Sequence, residues 1–213
     1  GEAVRKMAAN LPGMGPPDVY YPPSFEGKWL VERRTAGVES PSGNPPPEGR
    51  NNPKIGETVT YEARFVKNGD KVIADREYNQ KQVILATEGK RVGVVWLPTN
   101  PNALSVSYPD GQISDIKVTK RASTVGQEAS TLEFSEFRRE ANLGFAGSVS
   151  GVLGLPQISA SWIRAKYRVV DQNKVEGIVL EYLMPTPSQD PATATSKTKY
   201  RISMTRIGPR GSF

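Results

Sequence analysis

An all-β fold is predicted: a single antiparallel β-barrel of about eight to ten strands with an extended N-terminal arm. Three observations predict it. Short segments of alternating polarity recur along the chain, and turn dipeptides separate them. The third is their number within 213 residues, since that many strands close most simply into a barrel with no unpaired edges. A two-sheet sandwich is the alternative arrangement.

The elements follow in order. Residues 1–23 form the arm, where Pro12-Gly13-Met14-Gly15-Pro16-Pro17 cannot hold a helix. The barrel domain occupies 24–207, and 208–213 is a C-terminal tail. Its first strand starts near Phe25-Glu26-Gly27-Lys28-Trp29 and leads into a long proline-rich loop over 40–56. Thr58 to Val66 then sets Val59, Tyr61, Ala63 and Phe65 against Thr60, Glu62 and Arg64, a strand with one dry face. Lys67-Asn68-Gly69-Asp70 is a hairpin turn, because Asn-Gly accepts the positive φ that such turns require. Val72 to Tyr78 returns as a strand, Asn79 caps a short helix to Thr87, and Val92 to Leu97 is extended again.

Asn100-Pro101-Asn102 reads as a turn before the alternating Leu104, Val106 and Tyr108, and Pro109-Asp110-Gly111 as a hairpin into Ile113, Ile116 and Val118. Strands follow over Thr131–Glu140, Ser159–Val170, Val175–Leu183 and Lys197–Ile207, with a long glycine-rich loop over 141–158. Trp29, Tyr61, Phe65, Tyr78, Phe134, Tyr182 and Tyr200 are the bulky residues expected inside, where they would leave little cavity.

Composition narrows the chemistry. Hydrophobic residues make up 37%, enough for one core, and no run approaches the roughly 20 apolar residues that span a bilayer. The sequence begins at Gly1, as expected either of a processed, mature product or of part of a longer chain. There is no cysteine and no histidine. Disulfides, thiolate nucleophiles, histidine-based triads and zinc sites built on imidazole or sulfur are thereby excluded. No metal site and no cofactor is expected. The net charge of +6 suits an anionic partner, but no basic block or aromatic-basic motif points to nucleic acid.

Carboxylates remain as candidate catalysts, in Ala74-Asp75-Arg76-Glu77-Tyr78 and Leu132-Glu133-Phe134-Ser135-Glu136-Phe137-Arg138-Arg139-Glu140. Neighbouring Arg76, Arg138 and Arg139 favour ion pairs over a two-carboxylate hydrolase site. The glycines of 144–154 lack the lysine and following helix of a phosphate-cradling loop, so no enzyme is expected.

Cation placement says more. Arg164, Lys166 and Arg168 share one strand parity with Trp162, and Lys197, Lys199 and Arg201 oppose Tyr200, Ile202 and Met204. If the two strands lie close, these six cations make a basic patch for acidic protein or lipid; otherwise they are a basic solvated face. Arg206 has the inward parity of Met204. A Gly-x-Trp in the first strand with an arginine late in the last is how lipocalin-like barrels close. Gly27, Trp29 and Arg206 are therefore the candidate closure, with the guanidinium over the indole and Gly27 allowing close strand approach. Phe145 and Leu153 in the glycine-rich segment form either an internal plug or an apolar contact tip. Together with Tyr20 and Tyr21 of the arm, they complete the candidate partner-binding residues.

Several stretches also stand in a familiar order: Tyr21-Pro22-Pro23-x-Phe25-x-Gly27-x-Trp29, Ile73-Ala74-Asp75-Arg76-x-Tyr78-Asn79, Asn100-Pro101-Asn102, Ser135-Glu136-x-x-Arg139, Tyr182-Leu183-x-Pro185 and Tyr200-Arg201. From about Asp18 to Ile207 the chain resembles a family of cyanobacterial and chloroplast proteins of unknown function, whose plant and algal members look like thylakoid-lumen proteins. It departs from them at Pro45-Pro46-Pro47 and in the longer 144–156 insert. The resemblance implies a chloroplast thylakoid-lumen location, peripheral to the membrane, with photosystem subunits as partners and thylakoid lipid as a further contact. The expected function is a non-enzymatic accessory or assembly factor of a photosystem, photosystem II preferred. A lipocalin-like carrier of a lipid, pigment or other apolar ligand is the alternative.

Overall fold

The computed structural model describes residues 15–43, 53–126, 129–144, 156–184 and 188–208. Its strands are β1 (Gly27–Glu39), β2 (Thr58–Asn68), β3 (Lys71–Ala74), β4 (Gly93–Leu97), β5 (Asn100–Ser107), β6 (Ile113–Val125), β7 (Thr131–Leu143), β8 (Gln157–Asp171), β9 (Lys174–Met184) and β10 (Ser196–Arg206). All ten join one antiparallel sheet in the order β3-β2-β1-β10-β9-β8-β7-β6-β5-β4, curled into a half-barrel. The predicted all-β, barrel-like fold is what forms. Hairpins bring sequence neighbours together, and the first strand pairs with the last, setting Trp29 opposite Arg206.

The ring of hydrogen bonds is not complete, however. β3 and β4 are sheet edges, and the helix α1 (Arg76–Glu88) that connects them contacts β2 and β4 across the gap. Asp75 caps it by accepting a hydrogen bond from Tyr78 N at 2.9 Å, and Gly89 ends it in the left-handed region. The helix therefore starts four residues before the expected Asn79 cap. Asn79 instead uses its amide like a strand neighbour: Arg64 N donates to its Oδ1 at 2.7 Å, and its Nδ2 donates to Arg64 O at 3.1 Å. That extends the β2 ladder just past the end of β3. The other misplaced turn is Asn100-Pro101-Asn102, which opens β5; the chain reverses at Pro98-Thr99.

The main core lies on the concave face, where Phe25, Trp29, Val31, Phe65, Val72, Val175, Tyr200, Ile202 and Met204 are buried together. Tyr167 joins them because Gly177 opposite has no side chain: a Cβ there would come within 2.4 Å of the ring. Gly27 has a conformational reason of its own, since its φ of 124° is one that side chains avoid. A second cluster sits on the convex face, where Trp162 and Tyr182 stack at 5.2 Å beside Phe137, Ala160, Met184 and Ala194. Tyr182 is thus outward rather than inward. Tyr78 lies on α1, its hydroxyl hydrogen-bonded to Glu62 and its ring under the Arg64 guanidinium at 4.5 Å.

Candidate functional site

The closed end of the half-barrel is built first. The Arg206 guanidinium lies 4.3 Å from the Trp29 ring centroid. It donates to Ser24 O and Glu26 O at 2.6 Å and to Gln172 O at 2.9 Å. Trp29 Nε1 donates to Phe25 O at 2.7 Å, so the indole has its polar edge satisfied while its face carries a cation. Tyr21 belongs to this end. Its ring packs against Phe65 at 4.7 Å and Phe25 at 5.3 Å, and burial pushes its hydroxyl well above the ordinary tyrosine range. Its ring is half-buried and lines the interior. Tyr20 beside it is exposed, with the Lys71 ammonium 5.9 Å from its ring.

Above this floor is a buried ionic cluster. Glu136, 1% exposed, accepts from Arg76 Nη2 and Arg121 Nε at 2.8 Å through Oε1. Its Oε2 accepts from Arg138 Nη2 at 2.7 Å and Arg138 Nε at 3.0 Å. Arg76 also reaches Asp18 Oδ1 at 2.6 Å, which anchors the end of the arm. Arg121 Nη1 donates to Pro17 O and Asn102 Oδ1. Burial alone would raise the Glu136 carboxyl, but Arg138, Arg76 and Arg121 hold it well below the usual carboxylate range.

Of these residues, sequence reasoning paired Glu136 with its arginines but missed Arg121 and Asp18. A register shift between Val118 and Lys120 reverses the alternation in β6, so that Arg121 faces Glu136 from the concave side. No local signal announces that shift. The other carboxylates are engaged separately: Asp75 with Arg64 at 2.5 Å, Glu77 with Lys81 at 2.6 Å, and Glu133 with Lys166 at 2.6 Å. Asp75 and Glu77 belong to the helix cap and first turn, because the return strand expected to run to Tyr78 ends at Ala74.

The predicted basic strands, β8 and β10, are separated by β9. Register still aligns their outward residues in cross-strand rows. One runs Lys166, Ile178, Arg201, Arg34, and the next runs Arg164, Leu180, Lys199. An apolar spine of Ile178 and Leu180 thus lies between two stripes of cations. Lys166, Arg168 and Lys197 are paired with Glu133, Glu176 and Glu39, and Arg164 lies over the Trp162 ring at 5.2 Å. Among the described residues Arg34, Lys199 and Arg201 make no ion pair, although Arg34 and Arg201 stand directly opposite each other. The surface forms an open groove of about 890 Å³ whose walls include these three cations and whose floor includes Ile178, itself 43% exposed. Arg34 was absent from the predicted patch. Phe145 and Leu153 lie outside the described residues.

The interior is not filled by its aromatics as expected. A cavity of about 240 Å³ over the ionic cluster meets one of about 630 Å³ at the mouth, and Tyr61, Val83, Ile116, Phe134, Arg138 and Tyr167 line both.

Comparison with known proteins places the chain. The family described as Domain of unknown function (DUF6816) matches residues 13–208, and the chain belongs to that family. No curated protein matches the chain.

Proposed function

We propose that the chain is a non-enzymatic accessory or assembly protein that docks through its convex basic face on an acidic protein surface. By the family resemblance, that surface is the lumenal side of a photosystem, with photosystem II the first to test. One observation carries the reading: Arg34 and Arg201 face each other across β1 and β10, and among the described residues neither makes an ion pair. Like charges directly opposite destabilise a sheet by about 0.2–1 kcal/mol, a cost that partner carboxylates would offset. Arginine's planar fork matches carboxylate geometry, and Ile178 gives such a contact a dry centre. Glu32 and Glu176 in the same groove favour a protein partner of mixed charge over a uniformly anionic lipid surface. The non-enzymatic part rests on the carboxylates: Asp75, Glu77, Glu133 and Glu136 are each tied to a cation.

Inside-out thylakoid vesicles expose the lumenal face and supply the test. The wild-type chain is expected to sediment with them at low salt and to be released as salt shortens the Debye length. The double variant Arg34→Glu, Arg201→Glu is expected to stay in the supernatant with its melting temperature retained. A chain without histidine keeps its cations between about pH 7 and about 5.5. Its positive surface grows as carboxylates begin to protonate, so attachment is expected to strengthen with mild acidification. Retention of the double variant, retention indifferent to salt and pH, or equal binding to protein-free anionic vesicles would each overturn the reading.

A further inference from the structure

The cavity carries an inference independent of the docking face. It begins with what lines it: Phe134, Tyr61, Tyr167, Ile116, Ile202 and Met204 give a largely apolar wall. Its inner lobe touches Arg76, Glu136 and Arg138. Both oxygens of the Glu136 carboxylate already accept hydrogen bonds, so this group has little left for a cationic guest. The guanidinium side is different. Arg138 binds Glu136 through Nε and Nη2 and is 27% exposed, with Nη1 making no hydrogen bond among the described residues. Arg76 Nε is buried with no acceptor. Towards the mouth, Arg33 lies between Tyr200 at 4.8 Å and Tyr61 at 5.8 Å, and its Nε is likewise buried without an acceptor. Three cavity-lining arginines therefore each have an N–H left over.

The charge balance of the inner cluster agrees. Among the described residues Arg76, Arg121 and Arg138 face only Asp18 and Glu136, leaving the cluster one positive charge in excess. A buried excess charge is costly unless a counter-ion meets it. Apart from Glu136, the acidic residues of the lining lie elsewhere: Glu57, Glu88, Glu140 and Glu181 all line the mouth lobe, and Glu140 accepts from Ser114 Oγ at 2.6 Å. An anionic headgroup thus has one favourable place, the inner lobe beside Arg138.

We propose that the half-barrel binds an amphipathic monoanion, its acidic headgroup on Arg138 and its apolar body along the aromatic wall. The two lobes together are within the range of roughly 300–1,000 Å³ typical of small-molecule sites. α1 forms one wall through Gln80 and Val83, and it is the element that replaces hydrogen-bonded closure of the barrel at the seam between β3 and β4.

Oleate and its methyl ester, the same apolar body with and without the charge, are the probes, read by isothermal titration calorimetry on the full chain. The wild type is expected to bind oleate at least tenfold more tightly than methyl oleate. Arg138→Gln is expected to bring oleate down to the affinity of the ester and leave the ester unchanged, while Arg138→Lys retains part of the preference. Val83→Trp, which fills the cavity from the helix, is expected to abolish binding of both probes. Arg34→Glu with Arg201→Glu should leave oleate binding unaltered, which separates this site from the docking face. Equal affinity for acid and ester in the wild type would overturn the proposal. So would oleate binding that survives Val83→Trp or disappears with the convex-face double variant.

Discussion

On the concave face Arg76, Arg121, Arg138 and Arg206 are held by carboxylates, carbonyls and an indole, whereas on the convex face Arg34 and Arg201 oppose each other and, among the described residues, make no ion pair. The same side chain serves two ends. Inside, burial makes a guanidinium without partners costly, so those held by Glu136, Asp18 and the carbonyls are part of the folding energy. Outside, solvent screens the repulsion, so an unpaired cation costs little and stays available for another molecule. Burial therefore separates residues that hold the fold from residues that can be changed without losing it.

The largest expected effect tests the inner side of this contrast. Glu136→Gln keeps the shape but leaves three arginines without their shared counter-charge, and is expected to cost about 3–5 kcal/mol in urea denaturation. A variant as stable as the wild type would remove the claim that this cluster holds the fold. Arg206→Ala comes next: loss of the indole contact and of three carbonyl hydrogen bonds is expected to cost about 2–4 kcal/mol, with a change in tryptophan fluorescence.

Proton linkage sharpens the same contrast without mutation. The folded state depresses the Glu136 carboxyl, so its contribution is fully present above the unfolded-state value near 4.5 and is lost as pH falls through the lower, folded value. Stability from this group should be flat across mild acid and decline only in stronger acid, and Glu136→Gln should flatten that decline. Tyr200 behaves in the opposite sense. Burial pushes its hydroxyl up to about 12, so its contribution is present below the ordinary value of 10 and is lost as pH rises through 12. Denaturation midpoints followed from neutral pH in both directions check the two signs.

The smallest effect belongs to the convex face. Arg34→Glu converts a repulsive cross-strand pair into an attractive one with Arg201, and is expected to stabilise the protein by about 0.2–1 kcal/mol. The same change should weaken attachment to inside-out thylakoid vesicles. Loss of stability instead would mean that Arg34 has a structural role.

Much of the contrast was legible beforehand. Alternation placed Trp29, Phe65, Ile202 and Met204 inside and Lys199 and Arg201 outside, because strand parity is a local property of the chain. The same parity aimed Arg206 at the face that carries Trp29. The failures share another cause. Asp75-Arg76-Glu77-Tyr78 can continue a strand or start a helix, and the edge of β2 decides it by accepting Asn79 in place of another strand residue. Tyr182 carries the parity of an exposed residue and finds cover in a cluster with Trp162 and Ala194, the latter far along the chain from its strand neighbours.

Fold class, the apolar face of most strands, most of the hairpins and the lack of thiol and imidazole groups are written in the chain itself. These follow from residue type and from side-chain direction within a few neighbours. Tertiary structure alone decided which charges meet. A register shift in β6 turned Arg121 towards Glu136, the insertion of β9 placed an apolar spine between two basic strands, and pairing of β1 with β10 set Arg34 against Arg201. Each depends on strand order and register, which are settled by contacts between residues far apart in the chain. The hollow interior has the same origin, because a cavity is what remains after every wall has taken its place.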